Sequence, residues 1–107
     1  MNVVEWQERL RLFSEERDWG QFHSPKNLAM ALAVEASELL EIFQWLTTEE
    51  SMQVMDSSEA EHVREEIADV MIYQLRLADV LGVDVEAAVM SKIAANARRH
   101  PPPTHPT

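Results

Sequence analysis

An all-α fold is what this chain of 107 residues predicts, and three observations carry it. Apolar residues recur at spacings of three and four over long stretches, only two glycines interrupt them, and the alternating β-branched runs of a sandwich or barrel are scarce. The architecture expected is a four-helix-bundle-like domain over residues 1–100, followed by a flexible Pro-rich tail at 101–107.

Asn2 suits the cap of a first helix whose apolar positions Val3, Trp6, Leu10 and Phe13 share a face until SEERDWG ends it at Gly20. Ser24 before Pro25 reads as an N-cap with proline at the first helical position, and the apolar pattern then runs from Leu28 to about Leu46. TTEESMQVMDSS has capping residues at both ends and only weak apolar content, so a connector with one or two helical turns is expected. Ser57 or Ser58 is placed to cap a third long helix reaching Leu81, with Gly82 supplying the left-handed residue beyond it. Asp84 then caps a fourth, from Val85 to about Arg99. PPPTHPT lacks several amide hydrogens and cannot continue a helical ladder.

The balance of 9 Lys+Arg against 19 Asp+Glu gives a net charge of −10, which disfavours a nucleic-acid polymer or an anionic membrane as partner. Without cysteine there is no disulfide framework, thiolate metal site or cysteine nucleophile, which fits a reducing compartment, and a cytoplasmic location is expected. MNVVEWQERL turns polar too early for a secretory signal, and no apolar run approaches the roughly 18 residues of a membrane span.

Acids carry the chemistry. Residues three apart on a helix share a face, so Glu35 and Glu38 can converge on one point, and Glu66 and Asp69 can do the same. Both pairs lie in strongly apolar segments, EASELLEIFQW and EEIADVMIYQL, where no obvious solvent face is left for them, and the helix of the second pair is expected to be buried. A carboxylate taken out of water needs a proton, a cation or a metal, yet Ala29 to Leu46 contains no basic residue and Glu65 to Leu81 only Arg76. A hard divalent ion with oxygen ligands answers the need, Mg²⁺ first and Mn²⁺ as the alternative. The competing explanation of any single pair is an exposed charged stripe; two pairs on two apolar helices favour the metal site. Di-iron helical proteins pair their carboxylates with Glu-x-x-His motifs. Here one such motif occurs, Glu59 and His62, without a second copy, and it reads as a solvated face.

The pattern E-x-x-E, then 27 residues, then E-x-x-D resembles the signature of the MazG-like superfamily of all-α nucleoside triphosphate pyrophosphohydrolases. DWGQFHSPKNLAMALAVEASELLEIFQW, EEIADVMIYQL and SKIAANARRHP sharpen that resemblance toward its dCTP pyrophosphatase branch, over roughly Trp6 to Pro101. The resemblance implies Glu35, Glu38, Glu66 and Asp69 as Mg²⁺ ligands, with Trp19, His23, Trp45 and Tyr73 around the nucleoside of a deoxynucleoside triphosphate. It implies cleavage between the α and β phosphates, to a monophosphate and pyrophosphate. One motif position departs: nine residues before Trp19, where vertebrate-type members carry a histidine, this chain has Leu10. A dCTP-like substrate is favoured on this basis, with dUTP, dATP and modified cytosine nucleotides as alternatives.

Spacing alone leaves several of these residues open. Tyr73 falls four residues beyond Asp69, on the face of the acids, where a core tyrosine would also sit. Trp19 and Trp45 suit base stacking, although an aromatic at helical spacing is more often part of the core, and only the resemblance favours the former. His23, beside a proposed helix N-terminus, reads as a surface residue or a ligand contact. Lys92, Asn96 and Arg99 share one face of the last helix, where they suit phosphate contact or the negative end of the helix dipole. The proton acceptor for the attacking water is Glu38 or Glu41, with a surface role as the other reading of Glu41. Apolar residues on nearly all sides of two helices exceed what one small unit covers, so a homo-oligomer is expected, a tetramer ahead of a dimer. The sequence therefore reads as a Mg²⁺-dependent dNTP pyrophosphohydrolase that cleanses the nucleotide pool. The rival is a non-catalytic helical interaction or regulatory module whose acids face solvent.

Overall fold

A computed structural model of the chain describes residues 1–104, and among them five α-helices and two short 3₁₀ turns form the whole regular structure, with no strand. The reading of a tail at 101–107 falls partly on 105–107, outside the described residues.

Helix α1 (Val3–Glu16) starts where the Asn2 side chain accepts the Glu5 amide at 3.0 Å. It ends in a tight reversal, with the Trp19 amide donating to the Ser14 carbonyl at 2.9 Å and Asp18 at φ 55°, a left-handed conformation that aspartate tolerates. A 3₁₀ turn (Gly20–Phe22) leads to Ser24, whose hydroxyl accepts the Asn27 amide at 3.1 Å and opens α2 (Pro25–Phe43) with proline in its first turn. Expected to run to about Leu46, the second helix stops at Phe43, and Gln44 to Leu46 form a turn. The connector holds α3 (Thr48–Met52), opened by a reciprocal capping box between Thr47 and Glu50, and a 3₁₀ turn (Val54–Asp56).

Helix α4 (Ala60–Leu81) begins later than the serines suggest. Its N-cap is Glu59, which makes no capping bond, while the Ser57 hydroxyl accepts the Glu59 amide at 3.1 Å just ahead of it. Gly82, at φ 68°, closes α4, and the Val83 amide returns to the Ala78 carbonyl at 2.9 Å. Asp84 caps α5 (Val85–Arg99) by accepting the Ala87 amide at 3.0 Å.

The α2 and α4 pair forms the main packed interface and α1 crosses α4, whereas α5 has no extended packing on α1, α2 or α4. A single chain thus does not close a bundle. Its radius of gyration is 17.6 Å, against about 13 Å for a compact chain of this length. The expected burial of α4 is corrected accordingly: Val63, Glu66, Leu75 and Arg76 are buried, but Ile67, Met71, Ile72, Val80 and Leu81 are exposed. No helix among the described residues is long and apolar enough to cross a membrane.

Candidate metal centre and nucleotide site

Glu35 and Glu38 lie one turn apart on α2, and Glu66 lies on α4 across the main helix interface. Each offers a carboxylate oxygen within 4.8 Å of the other two. Asp69, one turn beyond Glu66 on the same helix, stands outside that trio yet near enough for its charge to press on Glu35. Glu66 is buried, and Glu35, Glu38 and Asp69 are half-buried.

One oxygen each of Glu35 and Glu66 is sealed from solvent with no hydrogen-bond partner. Burial pushes the Glu35 carboxyl up to about 7, and proton sharing with Glu66 and Glu38, plus the charges of Glu38 and Asp69, push the same way. Orphaned oxygens on apolar helices, with repulsion stored between them, are what a set of hard ligands shows without its cation. The residues fit a divalent metal: they are all oxygen donors, they converge, and among the described residues no Lys or Arg forms an ion pair with any of them. His62 borders the cluster, its Nε2 3.6 Å from Glu66 and its Nδ1 3.0 Å from Glu59. The sequence reading set that histidine aside as a solvated face; its position four residues before Glu66 was the signal that it reaches the acids. Glu41, the next acid along α2, is exposed and makes no ion pair or hydrogen bond with a described residue.

A second group forms where α1 reverses into the 3₁₀ turn. Trp19 meets Phe13 edge to face at 5.6 Å between centroids and lies 6.4 Å from the His23 ring. The Asn27 amide group donates to the Phe22 carbonyl at 3.1 Å, tying this turn to α2. His23 is also held by Arg76, Arg76 by Asp79, and Asp79 by Arg11, a network that spacing did not reveal. Its only sequence signal was Arg76, the one basic residue between Glu65 and Leu81.

The remaining candidates are dispersed. Tyr73 is half-buried on α4, and Trp45 stands 86% exposed in the turn after α2. Lys92, Asn96 and Arg99 lie exposed along α5, and none bonds to the acids. The structure therefore brings Glu35, Glu38 and Glu66 together, and Trp19 with His23, but leaves the α5 residues apart within one chain.

These features define an all-α protein whose two central helices present a carboxylate cluster suited to a divalent metal. Its sequence places it more narrowly: residues 30–105 match the MazG-like family, and the chain belongs to that family. It is similar to human dCTP pyrophosphatase 1, 47% identical over 90 residues that cover 83% of this chain and 53% of that protein. The mouse dCTP pyrophosphatase 1 is 46% identical over the same shares. The chain thus spans about half the length of the curated relatives it matches. A crystal structure of a pyrophosphatase from Archaeoglobus fulgidus superposes with a TM-score of 0.87 at 42% identity, covering 95% of this chain and 94% of that one.

Proposed function

We propose that this chain is a Mg²⁺-dependent nucleoside triphosphate pyrophosphohydrolase that cleaves a deoxynucleoside triphosphate, dCTP-like by preference, between its α and β phosphates. The observation that carries this reading is the converging trio Glu35, Glu38 and Glu66 with its orphaned oxygens, in a chain similar to dCTP pyrophosphatases. Water adds across the phosphoanhydride, giving a deoxynucleoside monophosphate and pyrophosphate.

Glu35, Glu38, Glu66 and Asp69 would hold the ion, with Mn²⁺ as the alternative. Bound there, Mg²⁺ supplies positive charge to the phosphate oxygens and lowers the pKa of a coordinated water. Glu38 or Glu41 accepts the proton of the attacking water; the exposed, unpartnered state of Glu41 suits it to that task. Trp19, His23, Trp45 and Tyr73 receive the nucleoside, and Lys92, Asn96 and Arg99 contact phosphate. Because α5 stands apart from the acids in one chain, its residues reach substrate in an assembly of copies, and the exposed apolar faces of α2 and α4 support a homo-oligomer, a tetramer ahead of a dimer. A cytoplasmic place agrees with the lack of cysteine.

The test is incubation of the purified chain with dCTP, dUTP, dATP and a 5-substituted dCTP in Mg²⁺, resolving the phosphate products. Pyrophosphate and monophosphate are expected, fastest from a cytosine nucleotide. Release of inorganic phosphate alone, or no turnover of any nucleotide, would overturn the reading in favour of an interaction module.

A further inference from the structure

His23 stands immediately before the cap of α2, and its Nδ1 lies 3.3 Å from a terminal nitrogen of Arg76, 53 residues away on α4. A guanidinium carries only N–H donors and keeps its proton in proteins. That contact is a hydrogen bond only when Nδ1 accepts, and a neutral imidazole accepting at Nδ1 bears its hydrogen on Nε2. Nε2 itself has no partner among the described residues and is not sealed from solvent.

Arg76 has little freedom to let go. It is 6% exposed, and its other terminal nitrogen donates to Asp79 at 3.2 Å. Asp79 is in turn gripped by Arg11 through two bonds of 2.9 Å. Two guanidiniums share one carboxylate, which leaves net positive charge beside the ring. Burial and the Arg76 charge both lower the His23 pKa, so the ring stays neutral. Trp19, 43% exposed and next to His23, offers a π face for a nucleobase.

We infer that Arg76 is a positioning residue that locks His23 as the Nε2–H tautomer, so that His23 donates a hydrogen bond to an acceptor atom on the nucleobase. The inference deepens the nucleotide site of the proposed function and rests on it for the identity of the acceptor. The opposite tautomer would present a lone pair at the same place and repel a base carbonyl, so the Arg11, Asp79 and Arg76 chain decides what the histidine can recognise.

Long-range ¹H–¹⁵N ring correlations on the full, ¹⁵N-labelled chain at neutral pH read the tautomer directly, with His23→Gln assigning the signals. Nδ1 is expected unprotonated and Nε2 protonated. Arg76→Met, an apolar side chain of similar reach, should average the two ring nitrogens and raise the KM for dCTP about tenfold, with kcat changed less than about twofold. Inhibition by tripolyphosphate, which has no base, should be unaffected. Arg76→Gln keeps an N–H donor and should restore both the ring signals and most of the KM. A protonated Nδ1 in the parent protein, or His23 signals indifferent to both substitutions, would overturn the inference, as would equal weakening of tripolyphosphate. Should Arg76→Met not fold, the parent and Arg76→Gln spectra still decide. Should no nucleotide be hydrolysed, the proposed function fails while the ring spectrum still judges Arg76.

Discussion

Glu35 on α2 and Glu66 on α4 face each other across the principal helix interface, each with one carboxylate oxygen buried and unbonded. Burial, and after it the nearby acids, raise the Glu35 pKa to about 7 from an ordinary 4.5. Between those values the folded chain holds a proton that the unfolded chain releases, so this group's contribution to stability falls as pH rises through the window. Without divalent metal, the Tm should therefore climb as pH is lowered from about 8 toward 5. Mg²⁺ needs the ionised carboxylates, so the rise in Tm that it produces should grow with pH. Calorimetry with and without EDTA checks both slopes, and a Mg²⁺ effect that is flat from pH 5 to 8 would count against these ligands.

Substituting Glu38 or Asp69 by alanine tests the same cluster through function. Loss of a ligand should lower turnover at least as much as the roughly 10- to 100-fold seen when outer-shell partners are removed. In metal-free protein the same changes relieve like-charge repulsion, so the Tm should hold or rise. Activity lost together with stability would point to a folding role for the acids instead.

The network around Arg76 separates two kinds of ion pair. Asp79 is 16% exposed and is the sole acidic partner of the buried Arg76 among the described residues, so Asp79→Asn should destabilise by about 3 kcal/mol, the usual consequence of stranding a buried charge. Arg11 is 46% exposed, and Arg11→Ala should cost far less, since solvent screens its half of the pair. The Arg11 bonds hold the Asp79 carboxyl below its ordinary range, so its contribution is present above the unfolded value of 3.8 and lost only as pH falls below it. Urea denaturation of both variants at neutral pH measures the contrast.

Gly82 allows a cleaner backbone test. Its φ is 68°, and an added Cβ would meet nothing within 4 Å, so the effect of Gly82→Ala is conformational alone. A loss of about 1 kcal/mol is expected, with turnover unchanged.

Much of this was legible because it is local. Asn2, Ser24 and Asp84 accept amides three residues on, Gly82 closes α4 through its own φ, and each holds the place its side chain or backbone freedom implies. The three-residue spacing of the acids likewise needed only helical geometry. What escaped depends on distance in the sequence. His23 finds Arg76 across 53 residues and Arg11 finds Asp79 across 68, pairings no periodicity encodes. The start of α4 was misplaced because the Ser57 hydroxyl caps the 59 amide of a preceding turn rather than the helix. Burial of α4 was overstated because an apolar pattern records what a face is built to cover, not which chain covers it.

Covering those faces is the last expectation. Trp45, Ile67, Met71, Met90 and Ile93 are exposed, and an open groove of about 890 Å³ between the start of α1 and α5 mixes Val3, Val4, Val89 and Met90 with the polar Gln7 and Glu86. Isolated chains rarely leave so much apolar surface in water, and the 59 × 38 × 24 Å extent gives one chain too little interior to offset its ordering entropy. Light scattering after size exclusion should report a tetramer, four times the 12.3 kDa chain, with a dimer as the next species on dilution. Ile67→Glu, which places a charge on the exposed face of α4, should shift the population toward smaller species and lower the Tm at low concentration more than at high. Lys92, Asn96 and Arg99 sit away from the acids in a single chain, so dissociation should also raise the KM for nucleotide, with activity recovering on concentration. A stable monomer with full, concentration-independent turnover would place every functional residue within one chain and refute this account of α5.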